Sequence, residues 1–417
     1  MAPAKRPIGL GLILACLAGT LALGIALKAP CAPGGWSDGR QYKRYCYSDI
    51  VPLLGTEQLT DSRLPYLDTC APASGECDEY PVLSMYAMRF AAWASNGTAS
   101  FFHATPTAGF FYANALLLAV AAFITVLCLY LMVGTRALYF ALAPTLLIYG
   151  FMNWDLLAVA LATAGTLAYL NRRDVWSGAL LGLGAAAKLY PGLLLVPFVL
   201  GRFHEKEPDR GIHIAWAGAG AWLAVNLPFV LAAPRSWWEF FSFNRDRPVD
   251  WDSLWFVGCH RITGSLYCGH TGAINLASLV LFVALAVALW HLRSAVRPGF
   301  ARWTFGFPLL VVFLLTNKVY SPQYGLWLLP WFALALPNLR PFIAFEAADI
   351  AVFLTRFSWF GRYGGMGGWP IGAFEIAIVV RAAILVWCLI AWISNREPDA
   401  LRFPPAVANT TPSGAPA

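Results

Sequence analysis

Charge is what this sequence has least of. Asp, Glu, Lys and Arg make up 12% of its 417 residues, well below the roughly one quarter that a soluble domain carries. A chain so poor in charge, 59% hydrophobic and with a mean hydropathy of +0.60, has more apolar surface than one core can bury, so lipid must cover the rest. That excludes an ordinary soluble domain. It also removes nucleic acid as a partner, because the net charge of +7 fits basic cytoplasmic loops instead. Three further features are missing. No small-x-small cleavage site or good lipobox follows the first apolar run, Ile8 to Leu27, which predicts an uncleaved first span with its N-terminus in the cytoplasm. The cysteines lack the tight CxxC pairs of zinc sites. No internal repeat is visible.

What is present is a series of apolar runs, with 18 Trp, 16 Tyr and 28 Phe to furnish interfacial belts. The expected fold is all-α: a polytopic transmembrane helical bundle crossing about ten to twelve times. After the first run, spans are expected near 110–132, 138–151, 155–170, 176–187, 190–202, 211–232, 272–292, 302–316, 325–337, 341–355 and 371–393. Arg136, Arg172, Arg173, Arg202 to Arg210, Arg293 to Arg302, Arg340 and Arg396 to Arg402 then fall between spans on one side, which puts both termini in the cytoplasm of a multi-pass cell-membrane protein. Arg356 and Arg362, expected in a short Gly-rich outer loop, run against the pattern. Large outer loops are expected at about 28–109 and 233–270. Within the first, residues 81–95 are read as a helix lying on the outer surface or re-entering. Residues 1–395 form one transmembrane domain, and 396–417, rich in Pro, Ala and Thr, read as a disordered cytoplasmic tail.

Of nine cysteines, Cys16, Cys128 and Cys388 fall inside spans as small apolar residues. Cys31, Cys46, Cys70, Cys77, Cys259 and Cys268 all fall in the outer loops, an even set facing an oxidising space, which suggests disulfides. Neighbour pairing is the simplest of the connectivities six cysteines allow.

Polar groups interrupting apolar segments are costly in a bilayer unless they face a cavity. Three such knots fall on the outer face: Asn153-Trp154-Asp155, Lys188-Leu189-Tyr190-Pro191, and Asn317-Lys318 through Tyr320, Gln323 and Tyr324. Singly each has a structural reading. Lys188 can snorkel, Asp155 can cap a helix start, and Asn317 and Gln323 can bond between helices. Together they point to one outward-opening cavity. Most first-loop carboxylates, Asp38, Glu57, Asp61, Asp68, Glu76, Asp78 and Glu79, read as solvated charges. Asp49, opening the amphipathic stretch after Tyr47-Ser48, is either a helix cap or a carboxylate poised at the interface for a lipid-borne substrate.

The order of these motifs, with Tyr47-Ser48-Asp49-Ile50, Pro65-Tyr66-Leu67-Asp68, Glu79-Tyr80-Pro81, Asn153-Trp154-Asp155, Ala187-Lys188-Leu189-Tyr190-Pro191 and Tyr320-Ser321-Pro322-Gln323-Tyr324, resembles glycosyltransferase family 87 over nearly all the chain except the tail. The resemblance implies a GT-C architecture and transfer of mannose or arabinofuranose from a polyprenyl-phosphate donor to a glycolipid or polysaccharide hydroxyl on the outer face. It also implies that Asp49 is the catalytic residue. In physical terms, a carboxylate takes the acceptor proton during attack, and fixed cations stabilise the departing phosphate. Lys188, Lys318, Arg245 and Arg247 are the candidate cations. Asn153, Asp155, Tyr190, Tyr320 and Gln323 join them as candidate substrate contacts. One base and one displacement would invert the anomeric centre, whereas retention would want a second carboxylate. A monophosphate leaves without a diphosphate's extra charge, so no cofactor is expected, and the question of a divalent metal stays open. The aromatic run Trp237-Trp238-Glu239-Phe240-Phe241 suits sugar rings and lipid interfaces alike. The rival function is a transporter or flippase of a lipid or small solute, against which the large outer loops and clustered carboxylates count.

Overall fold

The structure, a computed structural model, describes residues 9–60, 63–70 and 77–394. The tail expected from residue 396, together with Lys5, Arg6, Asp61 and Glu76, lies outside the described residues. Among the described residues all regular structure is helical. Five helical stretches among these residues are long and apolar enough to cross a membrane: Leu10–Gly34, Pro106–Ala141, Pro208–Ala232, Thr271–Val296 and Ile371–Ser394.

The first helix shows why. Helix α1 (Leu10–Lys28) is apolar on all sides, with Ile13 and Leu17 fully buried while Leu12 and Leu23 are each 60% exposed. One face meets the bundle and the other meets lipid. After it come α2 (Val82–Phe101), α3 (Pro106–Val133), α4 (Asp155–Leu170), α5 (Asp174–Ala187), α6 (Tyr190–His204) and α7 (Pro208–Ala232). Then follow α8 (Pro234–Asp246), α9 (Leu254–Thr263), α10 (Thr271–Val296), α11 (Gly306–Thr316), α12 (Leu339–Tyr363) and α13 (Ile371–Ser394).

Local chemistry sets the boundaries. Thr105 caps α3 by accepting from the Ala108 amide, with Pro106 in the first turn; such a cap contributes about 1 kcal/mol. Ser253 caps α9 by accepting from the Phe256 amide, and Gly264 ends that helix in the left-handed region at φ 70°. Helix α2 does not float on the surface. It folds back along α3, where Thr98 Oγ1 donates to Gly109 O at 2.6 Å, and it is tied to α5 by Ser84 Oγ donating to Ala187 O at 2.7 Å. A Cβ at Gly109 would meet Ser95 O at 2.3 Å, so only glycine allows this hairpin.

Two expected spans are not continuous helices. Residues 138–151 break into Leu138–Ala141 and Pro144–Tyr149. Residues 325–337 consist of the end of the 3-10 turn Pro322–Trp327 followed by Leu329–Leu334, all of whose residues are buried. Most residues of both segments are buried in protein, although Leu142 is 54% exposed. Hydropathy cannot separate core from lipid, and broken backbone at membrane depth is tolerated only inside protein. The reverse error concerns α12, which runs to Tyr363 and so takes Arg356 and Arg362 out of the expected loop. Three of its charges, on Glu346, Asp349 and Arg356, are met by protein partners. Asp349 pairs with Arg381 of α13 at 3.0 Å, Glu346 accepts from the Thr145 amide at 2.8 Å, and Arg356 pairs with Asp250 and Asp252. An arginine neutralised this way is removed from any count of loop charge.

The bundle has two chemically different ends. At one, Arg202 pairs with Asp174 at 2.7 Å and donates to Tyr169 O at 2.6 Å, Arg172 pairs with Glu207, and Arg293 donates to Ile393 O at 2.6 Å. At the other end lie bridges joining Cys31 to Cys46, Cys70 to Cys77 and Cys259 to Cys268. Cys16, Cys128 and Cys388 are free.

Candidate active site

The disulfide-bearing end holds a cavity of about 520 Å³. Its first wall is made by pinning the early loop onto a turn more than a hundred residues away. Ser48 Oγ donates to Phe151 O at 2.8 Å and the Asp49 amide to Met152 O at 2.9 Å. These bonds lay Asp49 beside Asn153. Although Asp49 stands at the N-cap position of the short helix Ile50–Thr56, its side chain makes no capping bond. Its carboxylate instead faces the cavity, accepting from Tyr47 Oη at 2.7 Å and from Asn153 Nδ2 at 3.1 Å. Asn153 Nδ2 also donates to Tyr80 Oη at 2.8 Å. Burial, and then the Asp49 charge, push the Tyr47 phenol well above its ordinary range, so Tyr47 stays a proton donor to Asp49.

The second wall comes from the α5–α6 junction, where Pro191 in the first turn of α6 starts a new helix and leaves Lys188 extended between the two. Lys188 Nζ donates to Asp155 Oδ2 at 3.0 Å and to Asn153 Oδ1 at 3.5 Å, between the rings of Tyr80 and Tyr324. Asp155 is fully buried, with Trp327 Nε1 on its other oxygen at 2.7 Å. It neither caps α4 nor lines the cavity. Its role is to hold Lys188. Tyr190 and Tyr324 each stack against Trp327, with ring centres 4.3 and 4.0 Å apart.

The third wall is the end of α8. Lys318 Nζ donates to Arg245 O and Arg247 O, both at 2.8 Å. It thereby satisfies carbonyls at a helix C-terminus, where a cation is favoured. Burial, and then Arg247, push the Lys318 ammonium down to about 8. Arg247 lines the cavity and is 3.5 Å from Asp250, whose carboxylate also accepts from Ser321 Oγ at 3.1 Å.

Of the expected site residues, the structure brings Asp49, Asn153, Lys188, Tyr190, Arg247, Lys318 and Gln323 to one cavity. It does not bring Arg245, which points to the exterior and pairs with Asp246 at 2.7 Å with both side chains more than 60% exposed. Tyr320 is also absent: it is buried under the Arg381 guanidinium, 3.7 Å from its ring centre. Sequence reasoning missed Glu79 as a lining residue, and it also left out Phe243, Asn244 and Trp327. Glu79 was counted with solvated loop charges, yet it adjoins Tyr80 and Pro81, so that motif was the available signal. Phe240 and Phe243 are spaced by three on α8, which turns both toward the cavity. Among the described residues the one grouping with metal-ligand spacing is Cys70, Cys77 and Asp78, and its two sulfurs are bonded to each other.

The arrangement can accept a proton at Asp49, place fixed cations at Lys188 and Arg247 within the same cavity, and stack sugar rings on aromatic faces. The model of glycosyltransferase family 87 matches residues 80–322, more than half of the chain. No curated protein matches it. The matched stretch carries Tyr80, Asn153, Lys188, Arg247 and Lys318, and it begins after Asp49.

Proposed function

The chain belongs to glycosyltransferase family 87, a membrane glycosyltransferase, and from that premise we propose that it moves mannose or arabinofuranose from a polyprenyl phosphate to a glycan or glycolipid hydroxyl at the outer membrane face. The observation that carries this reading is the Asp49 carboxylate, held by Tyr47 and Asn153 and sharing an aromatic-walled cavity with Lys188 and Arg247. The acceptor oxygen attacks the anomeric carbon as Asp49 takes its proton. The bond from that carbon to the phosphate oxygen breaks, and the departing phosphate is met by Lys188 and Arg247. A single displacement inverts the anomeric centre. Tyr47 and Asn153, each bonded to one Asp49 oxygen, fix the carboxylate's orientation before substrate arrives.

The same reading places the disulfide-bearing end outside, in an oxidising space, and the Arg-rich end with both termini in the cytoplasm. It takes the total to ten to twelve crossings by counting the shorter apolar helices, Asp155–Leu170 and Arg302–Thr316 among them, where neighbours bury their polar ends. Family membership disfavours the carrier alternative. The deciding experiment offers the purified protein labelled polyprenyl-phosphate mannose and polyprenyl-phosphate arabinose with a glycolipid acceptor. Transfer of one label is expected. Movement of either lipid across the bilayer with no transfer to acceptor would instead establish a carrier.

A further inference from the structure

Arg356 runs against the charge pattern of the spans, and the fold gives it a place beside the site. Its Nη1 sits between two carboxylates of the loop before α9, pairing with Asp252 and lying 3.5 Å from Asp250 Oδ1. The other Asp250 oxygen lies 3.5 Å from Arg247 Nη2 and accepts from Ser321 Oγ at 3.1 Å. The Asp250 amide donates to Lys318 O at 2.9 Å. One carboxylate thus stands between Arg356, which does not line the cavity, and Arg247, which does. The loop is held a second time by Arg381 of α13, whose Nη2 donates to Asp252 O at 3.0 Å. Helix α12 is also tied to the proton acceptor. Phe357 stacks on Tyr47 with ring centres 4.6 Å apart, and Tyr47 donates to Asp49. Neighbouring residues of α12 therefore touch the supports of both the base and a cation.

We propose that Arg356 is a positioning residue for Arg247: by holding Asp250 back, it keeps the Arg247 guanidinium open to the substrate's phosphate. The proposal rests on the donor reading above. The separation of Arg247 from Asp250 carries the argument. A guanidinium and a carboxylate free to pair close to about 2.7–2.9 Å, often through two bonds at once. Arg247 and Asp250 stop short of that, at 3.5 Å. A guanidinium locked onto Asp250 would have its charge matched and fewer N–H groups left for a phosphate. Arg356 holds the opposite oxygen and prevents the closure. Without it, the cationic partner left to Asp250 is Arg247. A purely structural need does not account for this sharing, because Asp252 by itself neutralises Arg356.

The test measures the affinity of the full chain in nanodiscs for a sugar-free probe, farnesyl phosphate. Arg247→Gln should weaken binding, because the phosphate loses one of its cations. Arg356→Gln should weaken it by about fivefold or more, and the same change made in the Arg247→Gln protein should add nothing, as coupled neighbours behave. Arg356→Lys, which keeps a cation at Asp250, should restore most of the parent affinity. If Arg356→Gln does not fold, Asp250→Glu takes its place. The longer side chain carries the carboxylate toward Arg247 at unchanged charge, and the loss it causes should likewise vanish without Arg247. A loss that persists in full in the Arg247→Gln protein marks a structural role and overturns the proposal, as does parent-like affinity in the Arg356→Gln protein. Full affinity in Arg247→Gln alone also overturns it, while Lys188 leaves the donor reading standing. Failure of farnesyl phosphate to bind the parent protein overturns the donor reading and the proposal with it.

Discussion

Asp49 accepts from Tyr47 and Asn153 and can still receive a third hydrogen, since a carboxylate offers about four lone-pair sites. Asp49→Asn keeps the shape and removes the proton acceptor. Turnover should fall by about a hundredfold or more, with donor affinity and melting temperature nearly unchanged; normal turnover would reassign the base. Asp155→Asn acts differently because Asp155 touches Lys188 and Trp327 but not the cavity. The expected result is a raised donor KM, as Lys188 loses its anchor, with a smaller effect on kcat. Glu57 gives a pH test. Burial, then the Glu79 charge, push its carboxyl from 4.5 up to about 8, with the Asp78 amide donating to one oxygen at 2.6 Å. A carboxyl raised on folding contributes stability that is complete below about 4.5 and is lost as pH rises through about 8. Thermal melts across that window should therefore fall with pH, and Glu57→Gln, which does not titrate, should flatten the slope. An equal slope in the variant would show that other groups dominate.

At the scale of the element, α8 depends on Lys318. Its ammonium closes the helix end through Arg245 O and Arg247 O, and that end carries Arg247 and Phe243 into the cavity. Lys318→Met keeps the stem and removes the donors, leaving carbonyls unsatisfied. Donor KM should rise several-fold and the second loop should become more open to limited proteolysis; unchanged values in both measurements would mean α8 is held by its aromatic face alone. The α5–α7 pair depends on absent side chains. Gly182→Leu forces atoms against Gly218 O and should cost about 1–3 kcal/mol of stability, as overpacking does, read as a lower melting temperature. The long apolar runs of α1, α3, α7, α10 and α13 were legible because they are greasy on every side. The expected span ends at 355 and leaves Arg356 in a loop, against the charge pattern, whereas helix α12 runs on to Tyr363. In the folded protein Asp250 and Asp252 neutralise Arg356, and that pairing crosses more than a hundred residues.

At the scale of the whole molecule, ion pairs gather at both ends, and the three disulfides lie at one of them. Single cysteines introduced near Thr56 and near Ser242 should react with an impermeant reagent on intact cells, while one at Asn171 should react only after permeabilisation. The opposite pattern would invert the molecule and place Asp49 in the cytoplasm.

Composition and apolar runs alone determined that the chain is helical and carries helices apolar enough to cross a membrane, and they pointed to large loops, six cysteines and three polar knots sharing one side, because each of these follows from local hydrophobicity and charge. The order of short motifs also pointed to the family. Tertiary structure alone decided which polar residues share the cavity. It brought Asp49 to Asn153 through backbone bonds between residues 48–49 and 151–152, moved Asp155 behind Lys188, sent Arg245 outward, and drew in Glu79, Phe243 and Trp327. It also decided that residues 138–151 and 325–337 are broken into short helical pieces. The physical reason is the same in each case: whether an apolar residue meets lipid or protein, and whether a charge meets water or a partner, depends on contacts between segments far apart in the chain, and no local window of sequence contains them.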